Sequence, residues 1–85
     1  MNAKNRKVLE AVFKEPVRAD VDWRDIEGLF LACGARIKYR GGSRVNVVLH
    51  DVVASFHRPH PERETDKGAL RSVRRFLKNA GVEPR

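Results

Sequence analysis

The sequence has little of several features that define common protein classes. It contains one cysteine, Cys33, which excludes an intramolecular disulfide and a cysteine-based zinc site. No apolar run approaches the roughly 20 residues that span a bilayer. The basic first residues are not followed by the continuous apolar stretch of a signal peptide. We therefore expect a cytoplasmic protein. Cys33 falls on an apolar helical stripe, which favours a core thiol over a nucleophile.

Acidic residues are scarce in the second part of the chain. Residues 1–34 contain six Lys/Arg and six Asp/Glu, whereas residues 35–85 contain twelve and five, so the second part carries the whole net charge of +7. A cationic segment joined to a neutral one indicates a polyanion or an acidic protein as partner. The alternative is a solvated basic surface that aids solubility.

The apolar pattern predicts an α+β fold in a single domain, residues 1–85. Helical spacing indicates helices over residues 4–14, 23–33 and 66–80, with Asp22 as an N-cap and Gly34 and Gly81 as stops. Strict alternation indicates strands over residues 35–40, 44–49 and 52–57, joined by turns at 41–43 and 50–51. The order α-α-β-β-β-α predicts a three-stranded antiparallel sheet with helices on one face.

The turn lengths also predict which residues face each other across the sheet. A two-residue turn at 50–51 sets Arg44 opposite His57, and a three-residue turn at 41–43 sets Arg40 opposite Arg44 and keeps Tyr39 on the core side. The non-core face would then display seven polar residues: Arg36, Lys38, Arg40, Arg44, Asn46, Ser55 and His57. Facing arginines repel one another unless an anion lies between them, although long side chains can also splay into water.

The last helix carries a second set of cations. Arg71, Arg74, Arg75 and Lys78 recur at i, i+3, i+4 and i+7 and form one stripe beside the apolar one. Such a stripe suits RNA phosphates, because each neutralised phosphate releases counterions. Docking onto an acidic protein, or a solvated helix face, explains the same pattern.

Two histidines are candidates for acid–base chemistry. His57 ends the third strand on the polar face, and His60 is held between two prolines. Cleavage of RNA without a metal needs a base for the 2′-hydroxyl, an acid for the leaving oxygen, and cations for the developing phosphorane charge. Histidine suits the first two roles, and Arg44, Arg58 or Lys67 the last.

The remaining titratable residues predict no metal site and no cofactor. Glu62, Glu64 and Asp66 alternate with cations, which indicates a charged loop with Asp66 as the cap of the last helix. His50 falls in the predicted hairpin turn, where a surface position is expected.

From Trp23 onward the chain resembles the HicA toxins of bacterial toxin–antitoxin pairs. The resemblance rests on a helix ending at Gly34, Gly42-Ser43 after the first strand, Pro59-His60-Pro61, Glu64, and Lys67-Gly68-x-Leu70-Arg71. It covers about two-thirds of the chain, within about residues 22–81, and leaves the helix at 4–14 as an addition.

The resemblance implies a fold similar to double-stranded-RNA-binding domains, ribonuclease activity on mRNA, and a HicB antitoxin that occludes the site. Members of the family usually carry Gly-Ser-His at the start of the second strand, and that histidine is held to be catalytic. This chain has Gly42-Ser43-Arg44 instead.

These observations together predict a metal-independent endoribonuclease toxin neutralised by a HicB-like antitoxin. The predicted catalytic residues are His57 as general base, His60 as a second acid or base, and Arg44 as a phosphate clamp. The predicted RNA-binding residues are Arg36, Lys38, Arg40, Lys67, Arg71, Arg74 and Arg75. Two alternatives are an RNA-binding module without nuclease activity and a protein-interaction domain that docks an acidic partner.

Overall fold

The structure is a computed structural model that describes residues 1–84 of the chain. It contains three helices and five strands. In chain order they are α1 (Ala3–Val12), β1 (Val21–Asp22), α2 (Trp23–Ala32), β2 (Arg36–Tyr39), β3 (Arg44–Leu49), β4 (Val52–His57), β5 (Glu64–Thr65) and α3 (Lys67–Asn79). The predicted α+β fold is confirmed, with helices on one face of a three-stranded antiparallel sheet ordered β2-β3-β4.

Each helix begins at a residue whose side chain accepts a backbone N–H. The carboxylate of Asp22 accepts the N–H of Arg24 at 2.8 Å, and that of Asp66 accepts the N–H of Ala69 at 2.7 Å. Asn2 performs the same function for α1. These caps satisfy donors that have no partner within the helix, and both aspartate caps agree with the prediction.

The predicted register of the sheet is confirmed. Arg44 pairs with His57 and Asn46 with Ser55 across β3 and β4. The turn between these strands has His50 and Asp51 at φ 49° and 67°, the left-handed conformation that closes a two-residue hairpin. At the other turn, the N–H of Arg40 donates to the carbonyl of Arg44 at 2.9 Å, as expected for a three-residue loop.

The core lies between the sheet and the helices. Val45, Val47 and Leu49 of β3 point into it and are almost fully buried. Above them, four aromatic rings from α2, β4 and α3 pack with centroid separations of 5.5 to 6.3 Å: Trp23, Phe30, Phe56 and Phe76. Edge-on and offset contacts of this kind stabilise beyond the area they bury. The opposite face of the sheet is therefore left uncovered by the helices.

Helix α1 is part of this core. Val8, Leu9 and Val12 are buried and belong to the same apolar cluster as the residues of α2 and α3. The helix ends at Val12, two residues before the predicted end, with Phe13 as its C-cap.

The structure refines three expectations. The charged loop before α3 contains a two-residue strand, in which Glu64 and Thr65 pair with Asp22 and Val21. Tyr39 lies on the core side of the sheet, paired with Val45 as predicted, but it is 54% exposed because β2 ends there at the rim of the sheet. His50 is exposed, as expected, and it also has a structural contact, since its Nδ1 lies 2.7 Å from the carbonyl oxygen of Ala80 at the end of α3.

Candidate nucleic-acid interface

The uncovered face of the sheet carries polar side chains in three cross-strand rows. We call this surface the outer face; it consists of Arg36, Lys38, Arg40, Arg44, Asn46, Val48, Val53, Ser55 and His57. All are exposed except Asn46, which is half-buried. This surface follows from the strand alternation, since odd-numbered residues of β3 face the core and even-numbered residues face outward.

The row nearest the β2–β3 turn concentrates the candidate chemistry. Arg44 lies between His57 on one side and Arg40 on the other. In the next row, the Ser55 hydroxyl donates to the side-chain amide oxygen of Asn46 at 2.8 Å, which fixes both side chains. The row of Arg40, Arg44 and His57 therefore presents two guanidinium groups and an imidazole side by side.

The outer face is strongly cationic. It contains four Lys/Arg and no Asp or Glu. Among residues 1–84, the ion pairs join Lys4 to Asp25, Arg18 to Asp20, Arg24 to Asp22 and Arg74 to Glu15, and none includes a residue of the outer face. Unneutralised cations on one surface favour the approach of an anion.

A second cationic region lies at the end of the sheet, on the side of α2. It is a groove of about 510 Å³ lined by residues from three segments: Trp23, Arg24 and Glu27 of α2, the turn residues Gly42 and Ser43, and Arg58, Pro59, His60 and Arg63 after β4. We call it the end groove. Of the titratable residues that line it, only Arg58 and His60 were predicted from the sequence as candidates. No local pattern connects residues from three separate segments.

Two backbone contacts hold the end groove together. The N–H of Arg58 donates to the carbonyl of Ser43 at 2.7 Å, which ties the end of β4 to the β2–β3 turn. The N–H of Trp23 donates to the carbonyl of Arg63 at 2.8 Å, which ties the start of α2 to the segment before β5. The walls of the groove are therefore fixed by main-chain hydrogen bonds.

Groove residues also take part in a small network of aromatic and charged groups that extends to Tyr39. The indole N–H of Trp23 donates to a carboxylate oxygen of Glu27 at 2.9 Å. The guanidinium of Arg58 lies 5.1 Å from the centre of the Tyr39 ring. Partial burial and the Glu27 carboxylate raise the pKa of the Tyr39 phenol, whereas Arg58 opposes that effect.

The two candidate histidines lie in different regions. His57 is on the outer face beside Arg44, whereas His60 lines the end groove. The two regions meet at the open end of the β3–β4 hairpin. At this end Ser43 and Arg58 line the end groove, whereas their chain neighbours Arg44 and His57 lie on the outer face.

The cationic stripe of α3 is divided. Lys67, Arg71 and Arg75 are exposed. Arg74 instead turns towards α1, where its guanidinium donates to the carbonyls of Val12 at 3.0 Å and Lys14 at 2.8 Å and also pairs with the Glu15 carboxylate. Each of the three nitrogens of the Arg74 guanidinium thus already donates to a partner within the protein, which argues against the predicted role of Arg74 in RNA binding.

Cys33 is the C-cap residue of α2 and is half-buried against the core. Burial raises the pKa of its thiol, although the positive N-terminus opposes this. A thiol that resists ionisation is a poor nucleophile, as the sequence suggested.

In a comparison with protein families, residues 23–82 match the family described as HicA toxin of bacterial toxin-antitoxin. The chain belongs to the HicA family. The HicA match runs from the start of α2 to just beyond α3 and so includes both the outer face and the end groove. Helix α1 precedes it. Neither the curated proteins nor the solved structures compared with the chain gave a match.

Membership of the HicA family makes this chain a member of the toxin side of toxin–antitoxin systems. Within residues 1–84, none of the helices has the length and apolar character needed to cross a membrane.

Proposed function

We propose that the protein is a metal-independent endoribonuclease that cleaves mRNA in the cytoplasm and is neutralised by a HicB-like antitoxin. The observation that carries this proposal is the row of Arg40, Arg44 and His57, in which two arginines without ion-pair partners among residues 1–84 lie beside an imidazole on an open surface. Family membership supports the general kind of activity.

In the proposed reaction, His57 accepts the proton of a ribose 2′-hydroxyl, and the 2′ oxygen attacks the adjacent phosphorus. The bond from phosphorus to the 5′ oxygen breaks, and a protonated His60 supplies the proton to that oxygen from the groove side. The products are a 2′,3′-cyclic phosphate and a 5′-hydroxyl. Arg44, and Lys67 at the start of α3, neutralise charge that develops on the phosphorane.

The RNA backbone is proposed to lie across the outer face and the exposed side of α3. Arg36, Lys38 and Arg40 supply charge on the sheet, and Arg71 and Arg75 supply it on the helix. Because such contacts go to phosphates, we expect weak sequence specificity.

The antitoxin is proposed to cover the outer face. This surface offers four cations for an acidic partner, and it also exposes Val48 and Val53, the latter at 66%. Apolar residues surrounded by charges are typical of protein interfaces. Covering this face would block RNA and the His57 imidazole together.

A second candidate function is RNA binding without cleavage. It is favoured by Arg44, which stands where the resemblance to HicA proteins leads us to expect a catalytic histidine. In that case the outer face holds RNA and His57 contributes only to binding.

The test is incubation of the purified protein, free of antitoxin, with mixed RNA in EDTA. His57→Ala and His60→Ala are assayed singly and together, and His50→Gln is the control because it removes an imidazole outside both regions while keeping a hydrogen-bond donor near Ala80. We expect the wild type and the control to cleave and the double variant to be at least about 100-fold slower, the usual effect of losing acid–base catalysis.

Mass spectrometry of the fragments identifies the chemistry, since 2′,3′-cyclic phosphate ends are expected. Intact RNA in the wild-type reaction, combined with salt-sensitive binding, would establish the binding function instead. Cleavage that persists in the double variant would show that the histidines are not the catalytic groups.

A further inference from the structure

The end groove carries more positive charge than the carboxylates in contact with it neutralise. Three arginines, Arg24, Arg58 and Arg63, line the groove together with one carboxylate residue, Glu27. Within residues 1–84, Arg58 and Arg63 have no ion-pair partner, and Arg24 reaches only the N-cap Asp22 at 3.4 Å. Glu27 is itself held by the Trp23 indole. An anion of external origin fits this imbalance of charge.

Arg58 is the residue that indicates a ligand most directly. It is half-buried, and its Nε is fully covered by protein without any hydrogen-bond partner. A covered nitrogen is not itself reached by a ligand, but a half-buried guanidinium without an ion-pair partner among residues 1–84 would be stabilised by an anion in the groove that it lines. Contact with the Tyr39 ring and the hydrogen bond from its own N–H to Ser43 hold Arg58 in this position. The side chain is thus presented to the groove at low conformational cost.

The shape and position of the groove favour a nucleotide phosphate over other anions. Guanidinium groups bind phosphate oxygens through two parallel hydrogen bonds, and a concave site lets several of them converge on one group. A volume of about 510 Å³ is within the range of small-ligand sites. The groove also begins one residue away from Arg44 and His57, so a strand that leaves the outer face would enter it directly.

We propose that the end groove is a phosphate subsite, which holds the phosphodiester of the nucleotide next to the one bound at Arg44 and His57. The proposal rests on the proposed function in taking RNA as the substrate. Arg58 and Arg63 bind the phosphate oxygens, and the backbone of the Gly42-Ser43 turn forms the rim over which the strand passes. If the groove is such a subsite, RNA is positioned by contacts on the outer face and in the end groove together.

The first test is a titration of the wild-type protein with adenosine 3′,5′-bisphosphate, followed by NMR. Trp23 is the only tryptophan of the chain, so its indole N–H gives one resonance inside the groove. We expect saturable shifts of this resonance and of the Ser43 and Arg58 amides. An acidic peptide of equal charge serves as a second ligand. If the peptide shifts these resonances and the nucleotide does not, the groove is a protein-docking site and the proposal is wrong.

The second test is the binding of single-stranded RNA to the variant Arg58→Gln/Arg63→Gln. Loss of two charge-assisted contacts predicts an affinity at least about tenfold lower. The matched control is Lys7→Gln/Lys14→Gln, which removes the same charge from exposed positions away from both regions and should bind as the wild type does. Circular dichroism checks folding, and Arg63→Gln alone, at an exposed residue, is used if the double variant is unstable. Equal affinity in the groove variant and the control would overturn the proposal.

The outcomes separate this inference from the nuclease itself. Weaker binding by the groove variant, with no cleavage by any form, would support the subsite and contradict the enzymatic function. Normal cleavage and binding by the groove variant, with cleavage lost in the His57 and His60 variants, would support the enzymatic function and contradict the subsite.

Discussion

At the scale of single residues, the arginines of this chain differ in what their guanidinium groups contact. Arg71 and Arg75 are exposed on α3, whereas Arg74 between them donates to two main-chain carbonyls and one carboxylate. Spacing along a helix shows that these residues share a face but not which neighbour lies against it. For that reason the sequence predicted one RNA-binding stripe and the structure divides it.

Tyr39 provides a test of the contacts around the end groove, because it is the only tyrosine and its titration can be followed by absorbance. Partial burial and Glu27 raise its pKa, and Arg58 lowers it. We expect Glu27→Gln to lower the phenol pKa and Arg58→Gln to raise it further. An unchanged pKa in Glu27→Gln would show that the carboxylate does not act on the phenol.

The raised pKa of Tyr39 also makes the stability of the fold depend on pH. Because the pKa of Tyr39 is higher in the folded chain than in the unfolded chain, the fold binds the phenolic proton more tightly. The resulting stabilisation is present below the unfolded pKa and is lost as the pH rises through the folded one. Tyr39→Phe should therefore show a smaller alkaline loss of stability, measured by urea unfolding between neutral and high pH.

At the scale of elements, α1 is attached to the rest of the fold in two ways. Its apolar face lies in the common core, and Arg74 of α3 binds the carbonyls at and just beyond its C-terminal end. Those carbonyls lack partners within the helix, so the guanidinium satisfies groups that would otherwise be exposed or unpaired. The helix that precedes the HicA match is thus a structural component of this protein.

We predict that Arg74→Met lowers the free energy of unfolding by about 1–3 kcal/mol, because it removes charge-assisted hydrogen bonds but keeps an apolar stem. The matched control is Arg75→Met at the neighbouring exposed position, where a change within about 0.5 kcal/mol is expected. Urea unfolding measures both. Equal stability of the two variants would contradict a structural role for Arg74.

The hairpin of β3 and β4 shows which strand pairings can be predicted from local sequence. A two-residue turn at His50-Asp51 allows one register only, and alternation then decides which side chains face outward. The pairing of Arg44 with His57 was predictable for that reason. The pairing of β1 with β5 was not, because two-residue strands carry no periodic pattern and their partners are separated by more than 40 residues.

At the scale of the whole molecule, seven of the 18 Lys and Arg residues of the chain lie on two regions that meet at the open end of the β3–β4 hairpin. The helices cover one face of the sheet, and the cations of the strands occupy the other. A polyanion that follows the surface from the outer face into the end groove meets cations throughout. The fold therefore concentrates charge that the sequence only places in its second part.

This arrangement predicts the salt dependence of RNA binding. Each phosphate contact to single-stranded RNA contributes about 0.7 to the slope of log affinity against log salt concentration. Lys38→Gln/Arg40→Gln removes two such contacts from the outer face and should make the slope shallower by about 1.4. Lys7→Gln/Lys14→Gln is again the control and should leave the slope unchanged. Fluorescence anisotropy over a series of salt concentrations measures both, and an identical slope in the two variants would place the RNA elsewhere.

The sequence by itself determined the three helices, the strands of the three-stranded sheet, their register and the family, because caps, turns and apolar periods act between residues close in the chain. Only the tertiary structure decided which cations remain free and where they converge. The end groove depends on contacts of Ser43 with Arg58 and of Trp23 with Arg63, and the loss of Arg74 from the surface depends on Val12. Such contacts join residues far apart in the chain, and no local pattern encodes them.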